Sequence, residues 1–170
     1  MEKNIFYLNS IKKRICMYLV NKVFVGTKKF EKKRKLLNSI GFKIGENTKI
    51  VGPIECTGIL EIGENCWIGK NLKINGNGKV IIGDNCDIAP EVTFQTGGHK
   101  IGSMSRRAGE GEIYTQIIEN GVWIGGRLTI IGNIVVGEGS VIGGCSCVVK
   151  NVEKNTLVCG VPAKVVRELT

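Results

Sequence analysis

Proline is scarce, three residues in a chain of 170, and no Gly-X-Y period accompanies the 24 glycines, so a collagen-like triple helix is excluded. Histidine occurs once, at His99. The seven cysteines, at positions 16, 56, 66, 86, 145, 147 and 159, are odd in number, form no Cys-x-x-Cys pair and have no histidines around them. Neither a disulfide framework nor a zinc ribbon is expected from them. A lone histidine among dispersed carboxylates gives no magnesium site either, and no metal is expected. The opening residues never reach the apolar run of about 18 that a membrane span needs, and charges interrupt any signal-peptide core, which points to a cytoplasmic protein. The basic balance, 24 Lys and Arg against 15 Asp and Glu for a net +9, comes without a compact basic-and-aromatic motif, so no nucleic-acid partner is expected.

What the chain does have is an apolar share of 42%, enough for a folded domain of one core, and a period of six. Ile44, Ile50, Cys56, Ile62, Ile68, Ile74 and Val80 keep that step. The phase slips by two, Ile82, Ile88 and Phe94 resume it, and after an interruption Ile118, Ile124, Ile130, Val136, Ile142 and Val148 carry it on. Small or apolar residues fall four places later at Cys66, Cys86, Val92, Val122 and Ser140. Both classes point inward if three short flats make one turn of chain, with Glu-Asn, Asp-Asn or Glu-Gly in the turns. The period thus predicts a triangular solenoid of about five coils, roughly 24 Å long at the spacing of neighbouring strands. Alternating strands of a barrel or sandwich are the competing architecture.

The expected organisation is a basic helical segment over residues 1–41, a solenoid over 42–159 with an excursion at 95–117, and a C-terminal helix over 160–170. In the first segment Ile5, Leu8, Ile11, Ile15, Leu19 and Phe24 recur near helical spacing beside many lysines. One or two helices would cap the open first coil, with Asn9 or Ser10 near the start. The basic face reads most simply as solvated, and is also compatible with a peripheral contact on anionic lipid. At the other end Pro162 reads as the first residue of a short helix covering the last coil, with Lys164 and Arg167 on one side of it.

The excursion QTGGHKIGSMSRRAGEGE begins at Gln95, is polar and Gly-rich, and contains His99. An imidazole titrates near neutral pH and suits activation of an alcohol or amine, although an isolated surface histidine is the plainer alternative. The segments IGDNCDIAPEVTF (82–94), QTGGH (95–99), ENGVWIGG (119–126), GEGSVIGGCSCVVK (137–150) and GVPAKVVR (160–167) are more specific. On these, residues 42–169 resemble the hexapeptide-repeat acyltransferases, in the branch of maltose and galactoside O-acetyltransferases and polysaccharide-modifying acetyltransferases.

That resemblance implies an all-β, left-handed parallel β-helix that forms a homotrimer, with acetyl-CoA as acyl donor in clefts between adjacent prisms. It places the family base on His99 and the oxyanion donor on the backbone N–H near Gly125 and Gly126. Trp123 would flank the pocket, Gly126 and Gly144 would border the pantetheine arm, Val149 and Lys150 would follow it, and Lys164 and Arg167 would meet the nucleotide phosphates. Acceptor-side candidates are Asn71, Asn85 and Asp87, for the last two of which a plain turn role is equally apt, with Arg106 and Arg107 for an anionic sugar or lipid phosphate. The excursion lacks the Pro and acidic residues of the maltose-type enzymes. This favours a cell-surface saccharide, or its nucleotide- or lipid-linked precursor, as acceptor for O-acetylation. The alternatives are N-acetylation of an amino sugar, acetylation of serine or an antibiotic, and a noncatalytic glycan-binding solenoid.

Overall fold

The period of six becomes three flats per coil in the structure, a computed structural model that describes residues 11–170. Ile5, Leu8, Asn9 and Ser10 lie outside the described residues. The first flat stacks Lys43–Ile44, Ile59–Ile62, Lys79–Ile82, Thr115–Ile118 and Ile134–Val136 as a parallel sheet of five strands. The third flat likewise has five, from Ile54–Cys56 to Cys147–Val148. The second flat has Lys49–Ile50, Trp67–Ile68, Asp87–Ile88, Trp123–Ile124, Val141–Ile142 and Thr156–Gly160, with Ala163–Glu168 returning alongside.

Register shows why the sequence folds this way. Ile44 lies beside Ile62 and Ile62 beside Ile82, steps of 18 and then 20 residues. The slip of two is a wider corner at Gly76–Asn77–Gly78, between the third flat and the next coil. The inward column of isoleucines, valines and leucines is almost entirely buried, and Cys66, Cys86, Val92, Val122 and Ser140 lie inside the corners as their spacing predicts. Each such side chain contributes about 1.5–3 kcal/mol of transfer free energy, realised only when coils stack. Between the first and second flats the chain turns through positive φ at Asn47, Asn65, Asn85, Gly121, Gly139 and Asn155. Asparagine and glycine are the residues that tolerate this conformation.

Two helical pieces close the first coil: α1, residues 11–18, running into a π-helical turn Leu19–Val23, and α2, Phe30–Asn38. Val20 and Leu37 plug the apolar interior. The open strand edge beneath is satisfied by side-chain amides. Asn21 Nδ2 donates to Ile54 O at 2.8 Å while its Oδ1 accepts from Ile54 N at 2.9 Å, and Asn38 does the same for Ile44 at 3.0 and 2.9 Å. Lys33 is fully buried and donates to Gly26 O at 2.7 Å and Val51 O at 3.1 Å. Burial pushes its ammonium down to about 8.

The expected C-terminal helix is replaced by a strand. Ala163–Glu168 pairs antiparallel with Thr156–Gly160, Leu157 opposite Arg167 and Cys159 opposite Lys164. The return strand, with β-branched Val165 and Val166, pairs with the edge of Thr156–Gly160 and satisfies its backbone groups. Pro162 therefore sits in the turn rather than opening a helix, and the helical neighbourhood of Lys164 and Arg167 does not form. Among the described residues no helix is long and apolar enough to cross a membrane.

Candidate functional site

The excursion is an antiparallel hairpin of Gly97–Ile101 with Ala108–Ile113, leaving the prism at the corner between the third flat and the following first flat. Thr96 anchors its neck, its N–H and hydroxyl both donating to Asn75 O, at 2.7 and 3.0 Å. Inside the same corner Gln116 is buried, and its Nε2 faces the carbonyls of Gln95, Ile130 and Gly132 at 3.0, 3.0 and 3.1 Å. Tyr114 packs so closely on Gly98 that a Cβ there would meet its ring, and the Tyr114 hydroxyl donates to Glu112 at 3.1 Å. Desolvation and the Glu112 carboxylate hold the Tyr114 phenol above its ordinary value.

His99 stands on this hairpin opposite Gly111, exposed, with Nδ1 2.9 Å from Gly109 O. A carbonyl oxygen only accepts, so Nδ1 carries the proton in that contact and the neutral ring keeps its free lone pair on Nε2. Around the imidazole an open depression of about 630 Å³ is lined by Gly76, Asn77, Gln95, Gly98 and Glu112. Arg106 and Arg107 are exposed toward the hairpin tip, where Lys100 and Glu110 pair at 2.7 Å.

A second cluster lies on the second flat. Trp123 registers against Asp87 on one side and Val141 on the other, and Asp87 against Trp67, so that Asp87 stands between two exposed tryptophans. These three, with Ala89 and Pro90, line a groove of about 330 Å³. At the corner after this flat, Gly125 N donates to Ile142 O at 2.8 Å and is committed to the ladder. Gly126 N and Gly144 N have no hydrogen-bond partner among the described residues. A Cβ on Gly126 would come within 3.1 Å of Pro90 O, and one on Gly144 within 3.1 Å of Gly126 O, so this corner keeps its backbone bare. Asn71 occupies the same corner two coils earlier, and Glu91, one coil earlier, pairs at 2.9 Å with Arg127 next to Gly126. Asn85 instead belongs to the column of turn asparagines at the other end of the flat, where its N–H donates to Glu64 O at 2.9 Å.

The third cluster is at the C-terminal end of the prism. Val149, Lys150 and Lys164 meet there in a mostly apolar pocket of about 340 Å³ with Val158, Pro162 and Ala163. Arg167 is exposed on the return strand beyond it.

In a triangular prism the corner carrying the hairpin is the vertex opposite the flat that carries Trp123. The hydrogen bonds of the hairpin described above stay within it or at its own corner. One chain therefore gathers Trp123, Asp87, Gly125 and Gly126 along one edge and keeps His99 at another. Three features escaped the sequence. Trp67 was detectable, since it holds the coil position of Trp123, and Asn77 sits in the corner marked by the two-residue slip. The Gly109 carbonyl depends on hairpin register and left no signal.

A galactoside O-acetyltransferase of Escherichia coli (strain K12) is 36% identical to this chain over 141 residues, 82% of this chain and 70% of the relative. A solved galactoside acetyltransferase in complex with coenzyme A matches with a TM-score of 0.81 at 30% identity, over 95% of this chain and 81% of that one. A hexapeptide-repeat acetyltransferase from Vibrio cholerae gives a TM-score of 0.83 at 27% identity, over 98% and 93%. No family model matches the chain. With a relative of this identity and coverage, the chain belongs to the hexapeptide-repeat acetyltransferases related to the galactoside and maltose O-acetyltransferases.

Proposed function

We propose that the protein transfers acetyl from acetyl-CoA to a hydroxyl of a cell-surface saccharide or its precursor, in the cytoplasm, within a left-handed prism assembled as a homotrimer. The observation that carries this is the His99 imidazole, held by its Nδ1–H on Gly109 O with Nε2 free. Nε2 takes the acceptor proton as the oxygen attacks the thioester carbonyl, and the imidazolium returns it to the departing CoA sulfur, with no acetyl-enzyme. Gly126 N–H, unpartnered beside Trp123, is the donor suited to charge on the carbonyl oxygen.

The pantetheine arm runs past the bare corner of Gly126 and Gly144 toward Val149 and Lys150, and the phosphates meet Lys164 and Arg167. Because His99 and Trp123 occupy a vertex and the flat opposite, a working cleft needs the hairpin of one copy against the second flat of another. Asp87 and Asn71, on that flat and its edge, are the acceptor-side residues this cleft would use, and Arg106 and Arg107 suit an anionic acceptor.

Titration calorimetry of acetyl-CoA tests donor binding. An acetyl-CoA-dependent screen of saccharides and their nucleotide- and lipid-linked precursors, wild type against His99→Ala, tests the chemistry. Donor binding is expected to survive in the variant, with turnover reduced by about 10²–10⁴-fold. Wild-type turnover by His99→Ala on the true acceptor removes His99 as the base, and an amide product assigns N-acetylation instead.

A further inference from the structure

The charge of this chain is not spread over it. Residues 11–35 hold ten of the 24 basic residues and, in Glu31, one of the 15 acidic ones, which leaves 14 of each sign for everything else. The whole net charge of +9 thus resides in the cap, and the rest of the chain is balanced.

The same cap presents an apolar stripe away from the core. Ile11, Ile15 and Tyr18 fall at i, i+4 and i+7 on α1, one face of a helix of 3.6 residues per turn, and are 38, 54 and 62% exposed. Cys16 and Val20, buried at 5 and 0%, occupy the opposite face. Val23 and Val25, at 53 and 45%, continue the exposed surface into the loop before α2, beside Lys22 and Lys28. A surface helix of a water-soluble domain ordinarily has one apolar face, whereas this one has two with cations between them.

We infer that the cap docks the protein on an anionic lipid bilayer, with Ile15 and Tyr18 entering the headgroup boundary and the surrounding lysines meeting lipid phosphates. Apolar area and like-signed cations on one face are the two components of interfacial binding, and an anionic surface supplies the complement to both. A second copy of the cap would bring +9 against +9, and like charge on both sides of the contact opposes that pairing. Nucleic acid would use the charge but leave the stripe of Ile11, Ile15 and Tyr18 without a role.

Docking by the cap also orients the prism. The first coil lies against the surface, and the end that carries Lys164 points into solution. The hairpin of His99 leaves after the third coil, on the order of 15 Å from the capped end, within reach of a saccharide on a lipid carrier. This last consequence rests on the acceptor class proposed above, while the docking itself does not.

The test is co-flotation of the full chain with vesicles of phosphatidylcholine alone or with about 30% phosphatidylglycerol. At about 0.1 M salt, roughly tenfold more protein is expected on the anionic vesicles, falling several-fold at about 0.5 M. Ile15→Ser with Tyr18→Ser, both more than half exposed, is expected to lower binding about tenfold with an unchanged far-UV circular dichroism spectrum, as is Lys22→Glu with Lys28→Glu. Lys12 is avoided because it donates to Ser39 O at 2.8 Å and is part of the cap itself. His99→Ala is expected to float like wild type, which separates failure of docking from failure of acetyl transfer. Equal binding to neutral and anionic vesicles, no binding to either, or unchanged binding by the serine variant overturns the inference. So does binding of duplex DNA, or lipid-free self-association through Tyr18, in a chain that does not float with anionic vesicles.

Discussion

Gln116 ties the neck of the His99 hairpin, and the structure fixes what its loss should do. Its amide offers two N–H protons to three carbonyls, so the contact amounts to about two hydrogen bonds, each about 1 kcal/mol net. Gln95 and Gly132 are half-buried and their carbonyls can be rehydrated, but Ile130 is fully buried and its carbonyl loses the Gln116 contact, a further cost of about 1–3 kcal/mol. Against this, the Gln116 Oε1 is buried with no partner, and removing it returns about 1 kcal/mol. Gln116→Leu should therefore destabilise by about 2–4 kcal/mol in urea unfolding, with faster hydrogen exchange across the hairpin. Gln116→Glu keeps the shape but sets a buried carboxylate against three carbonyl oxygens, which should cost about 3–5 kcal/mol at pH 7. Such a carboxyl has its pKa raised in the folded state, so the unfolded state loses its proton first. The penalty should grow as pH rises above about 4.3 and shrink on acidification. A Gln116→Glu protein as stable as Gln116→Leu, with no pH dependence between them, would show that the amide does not donate to these carbonyls.

Lys33, pushed down to about 8 by burial, binds fewer protons folded than unfolded between about 8 and the ordinary lysine value near 10.4. Wild-type thermal stability should therefore rise across that window relative to Lys33→Met, and parallel curves would contradict the burial of the ammonium. Gly126→Ala should weaken acetyl-CoA about tenfold and lower kcat/KM by about 10²-fold, because a Cβ 3.1 Å from Pro90 O must move the corner and its free N–H. Unchanged kinetics would free Gly126 of the oxyanion role. Mixing inactive His99→Ala and Trp123→Ala protomers under exchange should restore activity to about a quarter of wild type, since one random cleft in four pairs an intact hairpin with an intact second flat. No recovery would mean that both residues come from one chain.

The solenoid was legible because its core repeats. An apolar residue every six, the two-residue slip between Val80 and Ile82, which the structure takes up just earlier at Gly76–Gly78, and the turn asparagines at 47, 65, 85 and 155 each map onto a single place in the coil. The ends were not legible, because what they do depends on the coil they terminate. Ala163–Glu168 has a local sequence acceptable to a helix, and only the unpaired edge of Thr156–Gly160 turns it into a strand. Asn21, Asn38 and Lys33 read as ordinary surface polar residues until the first coil presents backbone groups for them to satisfy. The site residues were located by motif more than by period. His99 was singled out by being alone, while Trp67 and Asn77 could have been found by placing each residue in its coil position.

The two corners of the second flat are built differently, and the difference bears on where chemistry sits. At the corner before it, all six positive-φ positions are asparagine or glycine, residues that adopt this conformation at little cost. At the corner after it, the positive-φ residues are Gly52, Asn71, Glu91, Arg127 and Cys145. Three of these lack the local hydrogen bonding or missing Cβ that would ease the conformation, and each carries a cost of roughly 1–2 kcal/mol. Folding alone would favour asparagine or glycine at every one of them. The residues present differ from that pattern: Glu91 and Arg127 pair between neighbouring coils, and Arg127 and Cys145 each follow a glycine whose N–H has no partner among the described residues. Strain that persists beside bare, unpaired backbone at one corner, and is absent from its equivalent in the same flat, fits the donor groove proposed for Gly126 and Gly144. That corner is the edge that Trp123 and Asp87 overlook.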